Sequence, residues 1–178
     1  MRLLLLSILG LLFVGCVATL NGTVSTASYT APPQQSLFTI ISPDSLSLTE
    51  RNINGLIEKK MSERGYKKAD SQQAANVAVL YKYSIGSGHT DVSSSPDFVW
   101  GGQKVVSNTS YPRFFEIAVV DLQKSKLPQK IEIIWQGEVR SSGSSANISW
   151  LAAHFVDVLF ENYGTTVTNK HFFRVVER

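Results

Sequence analysis

Apolar residues along this chain recur at two spacings, every second residue or every third and fourth, and the switches between them lay out the elements. Ile53, Leu56, Ile57 and Met61 recur at helical spacing, with Glu58, Lys59, Glu63 and Arg64 on the other side. Ahead of them, Ser47-Leu48-Thr49-Glu50 has the form of a capping box: the Ser47 hydroxyl accepts from a first-turn N–H and Glu50 reaches back. Gly65 before Tyr66 supplies a left-handed cap, so a helix is expected over 48–64. Val77, Val79, Tyr81, Tyr83 and Ile85 then alternate on one face of a half-buried strand. Residues 113–122 form a second strand. Ile131, Ile133, Trp135 and Val139 alternate against Lys130, Glu132, Gln136, Glu138 and Arg140 in a third. Ile148, Leu151, Ala152, Phe155, Leu159 and Tyr163 make the buried stripe of a second helix, 148–163, capped by Asn147 or Ser145 and ended by Gly164. A β-rich run over 37–41 opens the pattern and a strand within 165–178 closes it. The predicted fold is α+β: a mainly antiparallel sheet of about five strands with two helices packed on one face, Trp135 and Phe155 being inside.

Residues 86–110 do not fit either period. They are rich in Ser and Gly, and compact domains rarely carry a structureless loop of this length. An extended hairpin or a pair of strand extensions turning at Gly101-Gly102 is expected instead. Within it Phe98, Val99 and Trp100 put large apolar groups among Ser and Gly, where folding gives them little reason to be. Exposed aromatics mark binding surfaces, so these three form the candidate partner surface.

The N-terminus follows another logic. Leu3 to Val14 is an apolar run after a single positive charge at Arg2. It falls well below the roughly 20 residues that span a bilayer and matches the h-region of a secretory signal. Gly15-Cys16 follows directly, and the stretch resembles the bacterial lipobox, in which the Cys is lipidated and becomes the new N-terminus. Residues 1–15 are therefore expected to be a lipoprotein signal peptide and Cys16 the lipidation site. Three acyl chains at ~0.8 kcal/mol per buried CH₂ would hold such a chain firmly. From residue 16 to 36 Thr, Ser, Asn, Gln and Pro dominate, including Pro32-Pro33, and a flexible tether is expected before a single α+β domain at 37–178.

Composition narrows the function classes. The chain has 178 residues, a formal net charge of +3 and 43% hydrophobic residues, and no basic run, which argues against nucleic acid as a partner. A single Cys excludes an internal disulfide and a Cys-rich metal site. His89 and Asp91 could supply two metal ligands but zinc needs about four, so no metal site is assigned. Neither a Gly-x-Ser-x-Gly elbow nor a phosphate-binding glycine loop is present, and His154 with Asp157 reads as a solvated helix face. No enzyme activity and no cofactor is expected.

Four stretches carry a family likeness: Met61-Ser62-Glu63-Arg64-Gly65-Tyr66; Ala74-Ala75-Asn76-Val77-Ala78-Val79-Leu80-Tyr81; Ile117 to Leu122 followed by Ile134-Trp135-Gln136-Gly137; and the closing apolar helix. Over 37–164 the chain resembles the bacterial lipoproteins of domain-of-unknown-function family 4136. The resemblance implies an envelope lipoprotein and brings no catalytic residues. Val17 rather than Asp after Cys16 favours sorting to the outer membrane, facing the periplasm. The expected function is a non-catalytic accessory or assembly factor, anchored in the membrane through Cys16, that binds a partner protein of the envelope. The alternative is a carrier or sensor of an apolar or lipid ligand, held between the sheet and the second helix.

Overall fold

The computed structural model describes residues 17–33, 35–44, 47–97, 102–125 and 130–177. Eight strands and two helices run in the order β1 (Val17–Ser28), β2 (Leu37–Ile41), α1 (Leu48–Ser62), β3 (Lys67–Lys68), β4 (Val77–Ile85), β5 (His89–Asp97), β6 (Gly102–Asp121), β7 (Ile133–Gly143), α2 (Ile148–Glu161) and β8 (Val167–Glu177). The sheet is ordered β3-β2-β4-β6-β7-β1-β8, with β5 paired to β6 alone. The fold is α+β, but the sheet is larger than the five strands expected and is mixed, because β2 lies parallel to both β3 and β4.

The expected tether is the main correction. Val17–Ser28 is a strand inside the sheet, antiparallel to β7 on one side and β8 on the other. Leu20 and Val24 point into the core at 1% exposure each, while Asn21 and Thr23 point to the opposite, open face. Alternation with a polar outer row is how a strand with one wet face is written. Gly22 is required by close packing, since a Cβ there would lie 2.2 Å from the Arg140 carbonyl oxygen of β7.

Both helices lie on one face of the sheet. Ile53, Ile57 and Met61 of α1, Phe155 and Leu159 of α2, and Phe38, Val79, Tyr81, Phe115, Ile117, Trp135 and Val139 of the strands share one core. Trp135 and Phe155 are fully buried, as the pattern requires. In α2 only Glu161 is exposed, which explains why its apolar stripe nearly encircles it. Gly65 and Gly164, at φ 84° and 75°, terminate the chain direction after each helix.

The helix ends are tied together by aromatic and charged side chains. Tyr66 and Tyr163 share a 2.9 Å hydroxyl–hydroxyl hydrogen bond. The Arg64 guanidinium sits 5.0 Å from the Phe160 ring centre and donates to the Phe160 and Lys60 carbonyls. Lys60 crosses from α1 to Asp157 of α2 at 2.7 Å. In β7 strict alternation fails: Ile134 and Trp135 are both buried, and the β6–β7 register shifts between Val119 and Val120. Ile131, expected on the strand, precedes it and is exposed.

Candidate functional site

The described parts of the segment over 86–110 form a pair of antiparallel strands, as its length suggested, and they leave the body of the sheet. β4 pairs with β6 from Val77 to Ile85, and β5 continues in the same direction along β6 from His89 to Asp97. β7 ends at Gly143, opposite Tyr111, so among the described residues, 102–110 of β6 have β5 as their only strand partner. The result is a two-stranded arm about 30 Å long at ~3.3 Å per residue, with both edges open among the described residues. Every described side chain from Thr90 to Ser95 and from Gln103 to Asn108 is exposed.

Alternation divides the arm into two sides. Thr90, Val92 and Ser94 share one side with Val105, Ser107 and Thr109, and the Thr90 and Thr109 hydroxyls hydrogen-bond at 2.8 Å. Val92 and Val105 on this side are 68% and 62% exposed. His89, Asp91, Lys104 and Val106, the last 43% exposed, lie on the other side, where His89 Nε2 and the Asp91 carboxylate are 3.1 Å apart. The arm base is set by glycine: a Cβ at Gly88 would lie 2.7 Å from the Tyr111 ring and 2.8 Å from the Thr109 methyl. Gly88→Val is accordingly expected to part β5 from β6. Limited proteolysis should then cut the arm several-fold faster while Tm stays within a few degrees, because no core residue is touched.

Phe98, Val99 and Trp100, the expected partner surface, lie outside the described residues between the two arm strands, and so does Cys16. The weaker candidates disperse. Among the described residues no group of three or more His, Cys, Asp or Glu comes together. His154 packs edge-on against Trp150 at 5.5 Å and burial lowers its pKa, whereas Asp157 is engaged by Lys60. A cleft of about 530 Å³ beside the 3₁₀ turn Gln72–Ala74 is lined by Asn76, Leu122 and Gln123 and has no titratable group.

One cluster escaped the sequence reading. The capping box does not form: Ser47 makes no side-chain cap hydrogen bond, and Glu50 turns inward to 4% exposure. Its carboxylate accepts from Tyr83 at 3.2 Å and from Tyr81 at 3.4 Å. The cluster docks the start of α1 on β4, and the helix N-terminus favours the carboxylate there. Burial, and next the Glu50 charge, raises the pKa of both phenols. Burial also raises Tyr163, helped by its bond to Tyr66. A raised folded-state pKa means that the stability these tyrosines contribute is complete below the unfolded value of about 10 and is lost as pH rises beyond it. Tm should therefore be flat approaching pH 10 and fall above it, and Tyr163→Phe should flatten that alkaline limb in a melting series.

No curated protein matches this chain. Among solved structures it is similar to a PDZ domain protein from Parabacteroides distasonis, with TM-score 0.54 and 13% identity over 97% of this chain. The chain spans 42% of that protein's length, and the likeness is one of fold alone. A DUF4136 family protein from Bacteroides thetaiotaomicron matches with TM-score 0.47 and 14% identity, covering 81% of this chain and 97% of that one. The PelC dodecamer from Paraburkholderia phytofirmans matches with TM-score 0.41 and 11% identity, covering 78% and 93%. A family model matches residues 24–163, taking in the last five residues of β1, both helices and the arm, and the chain belongs to the family described as Domain of unknown function (DUF4136).

Proposed function

We propose that this protein is a non-catalytic lipoprotein of the bacterial cell envelope, anchored through Cys16 in the outer membrane and facing the periplasm, and that it acts as an accessory or assembly factor by binding a partner protein. The arm carries this reading. A two-stranded ribbon is marginal alone in water, and among the described residues nothing covers either face or either edge of this one. Its open edges suit strand addition, and the residues joining its strands, Phe98, Val99 and Trp100, are of the types that anchor interfaces. The anchor rests on the apolar run ending at Gly15-Cys16. The carrier alternative draws no comparable support, because the space between the sheet and α2 is filled by Trp135, Phe115, Phe155 and Leu159, each at 0% exposure.

A photo-crosslinking residue at Ser95, on the charged side of the arm, tests the reading in intact cells. The expected result is one protein adduct of defined size, absent when the crosslinker stands at Lys67 and lost when Phe98 and Trp100 are both changed to Ser at unchanged Tm. Equal adducts from Ser95 and Lys67, or an adduct indifferent to the double substitution, would refute the arm as the partner surface. Cys16→Ser should release the protein from membranes or leave the precursor unprocessed. A detergent-free wash that frees wild type and variant alike would refute the anchor.

A further inference from the structure

β6 is one unbroken strand from Gly102 to Asp121, so the direction of its backbone groups alternates along its whole length. The Gly86 N–H donates to the Pro112 carbonyl at 2.9 Å, which sets the even-numbered residues of β6 to bond toward β4 and β5. The odd-numbered ones turn their N–H and C=O to the other edge, toward β7. Pro96 gives the same parity from the β5 side. It stands opposite Gln103, and a residue without an N–H suits a pair that exchanges no hydrogen bonds.

Beyond Tyr111 the lane that β7 occupies is open among the described residues, because β7 ends at Gly143 and the chain turns to Asn147, the cap of α2. Gln103, Val105, Ser107 and Thr109 therefore direct unpaired backbone groups into that lane. The outer edge of β5 is different. Thr90, Val92 and Ser94 face outward there, but Pro96 interrupts the row of donors, as prolines do on edges kept from pairing. Residues 102–110, Gly-Gln-Lys-Val-Val-Ser-Asn-Thr-Ser, hold no proline and no acid.

We propose that this edge pairs with the same edge of a second copy of this chain, residues 102–110 of the two copies lying antiparallel about a two-fold axis at Val106. In that register Gln103 faces Thr109 of the second copy and Val105 faces its Ser107. All four are outward-bonding residues, so each pair exchanges both hydrogen bonds. Lys104 faces Asn108 and Val106 meets Val106, so no like charges stand opposite and an exposed valine gains an apolar neighbour. The length fits as well. Gly102 of the second copy faces Ser110, so its strand fills the lane up to the point where β7 takes over at Tyr111. The pairing is isologous and closes at two copies. It joins the arms into a four-stranded ribbon whose outer edges are those carrying Pro96, and four strands hold where two are marginal. The inference rests on the arm being a partner surface, names one partner for it, and requires no lipid anchor.

The test uses the purified full chain with Cys16→Ser, in which an introduced Cys is the only thiol. Val106→Cys should couple to its own copy under mild oxidation, because facing residues of a non-hydrogen-bonded pair stand about 4.5 Å apart at Cα, within disulfide reach. Ser93→Cys, beside Val106 on β5, should not couple, since its two copies would lie about 14 Å apart across three strand spacings. Lys104→Cys and Asn108→Cys set the register. Each alone leaves its two thiols about 13 Å apart along the strands, whereas mixing the variants brings 104 opposite 108. The mixture is expected to give about fivefold more disulfide dimer than either variant alone. Val105→Pro removes an N–H from the proposed edge and should lower coupling at 106 about fivefold, while Val92→Pro on the β5 edge should leave it unchanged. Coupling at 93 equal to that at 106, no gain from the mixture, or equal effects of the two prolines overturns the proposal. A chain that fails to couple at 106 but keeps its Ser95 adduct with another protein loses the second copy alone. Coupling at 106 without that adduct keeps the second copy and removes the envelope partner.

Discussion

A chain beginning at Tyr29 is expected not to fold, although it loses only a segment whose composition looks like a linker. β1 lies between β7 and β8, so its removal deletes two hydrogen-bonded ladders and leaves β8 with no strand to pair. It also takes Leu20 and Val24 out of the core, at roughly 1.5–3 kcal/mol for each fully buried aliphatic side chain. With the ladders this is a large share of the ~5–15 kcal/mol that holds a typical domain together. Circular dichroism of the truncated chain should show no cooperative melt, while a chain lacking only residues 1–16 should melt with the full fold. A cooperative transition in the shorter chain would return residues 17–28 to the role of a tether.

The parts of the fold that were legible in the sequence are those where one face is strongly apolar. The helices and β4 show a clean period, β7 shows one from Trp135 onward, the second half of β6 is a dense apolar run, and Gly101-Gly102 with the length of its surroundings was enough to expect the hairpin. β1 was illegible because its inward row is Leu20, Gly22, Val24 and Thr26, two aliphatics diluted by a glycine and a hydroxyl, and its outward row is Thr, Asn and Ser for the open face. A count of β-branched residues over 17–26 would have raised the strand reading, since five of those ten are Val or Thr. The parallel pairs were hidden for another reason: β3 is two exposed lysines, and nothing local distinguishes them from a loop. Glu50 shows the limit of local rules. Ser47 and Glu50 have the capping-box spacing, but Tyr81 and Tyr83 lie about 30 residues away in sequence and offer the carboxylate one buried and one half-buried hydroxyl instead. As for the candidate site, its place in the chain was legible, and its two unequal sides followed only from the pairing of β5 with β6.

Trp135→Ala is expected to cost about 3–5 kcal/mol, the range for large-to-small changes in a core, and to lower Tm by roughly 6–20 °C for a chain of this size. Trp135 is fully buried, with the Tyr163 ring centre at 5.0 Å and that of Phe160 at 6.1 Å. These two rings also hold Arg64 and Tyr66, so the cavity would loosen the junction of α1 with α2 as well as the face of β7. Trp135→Phe separates packing from polarity. The indole N–H is buried without a hydrogen-bond partner, and an orphaned donor costs about 1–3 kcal/mol, so Phe should recover much of what Ala loses. Gly137 supplies the decisive control. A Cβ there would lie 2.9 Å from the far edge of the Trp135 ring and 2.8 Å from a Leu159 methyl, so Gly137→Ala overpacks the site and should cost about 1–3 kcal/mol. Phe lacks those far ring atoms, leaving Leu159 as the remaining obstacle, and a methyl at the end of a side chain can move. Gly137→Ala should therefore cost less in the Trp135→Phe background than alone, a non-additivity expected only for groups in contact. Additive costs, or a Trp135→Ala melt that scarcely moves, would place the indole away from the α2 interface.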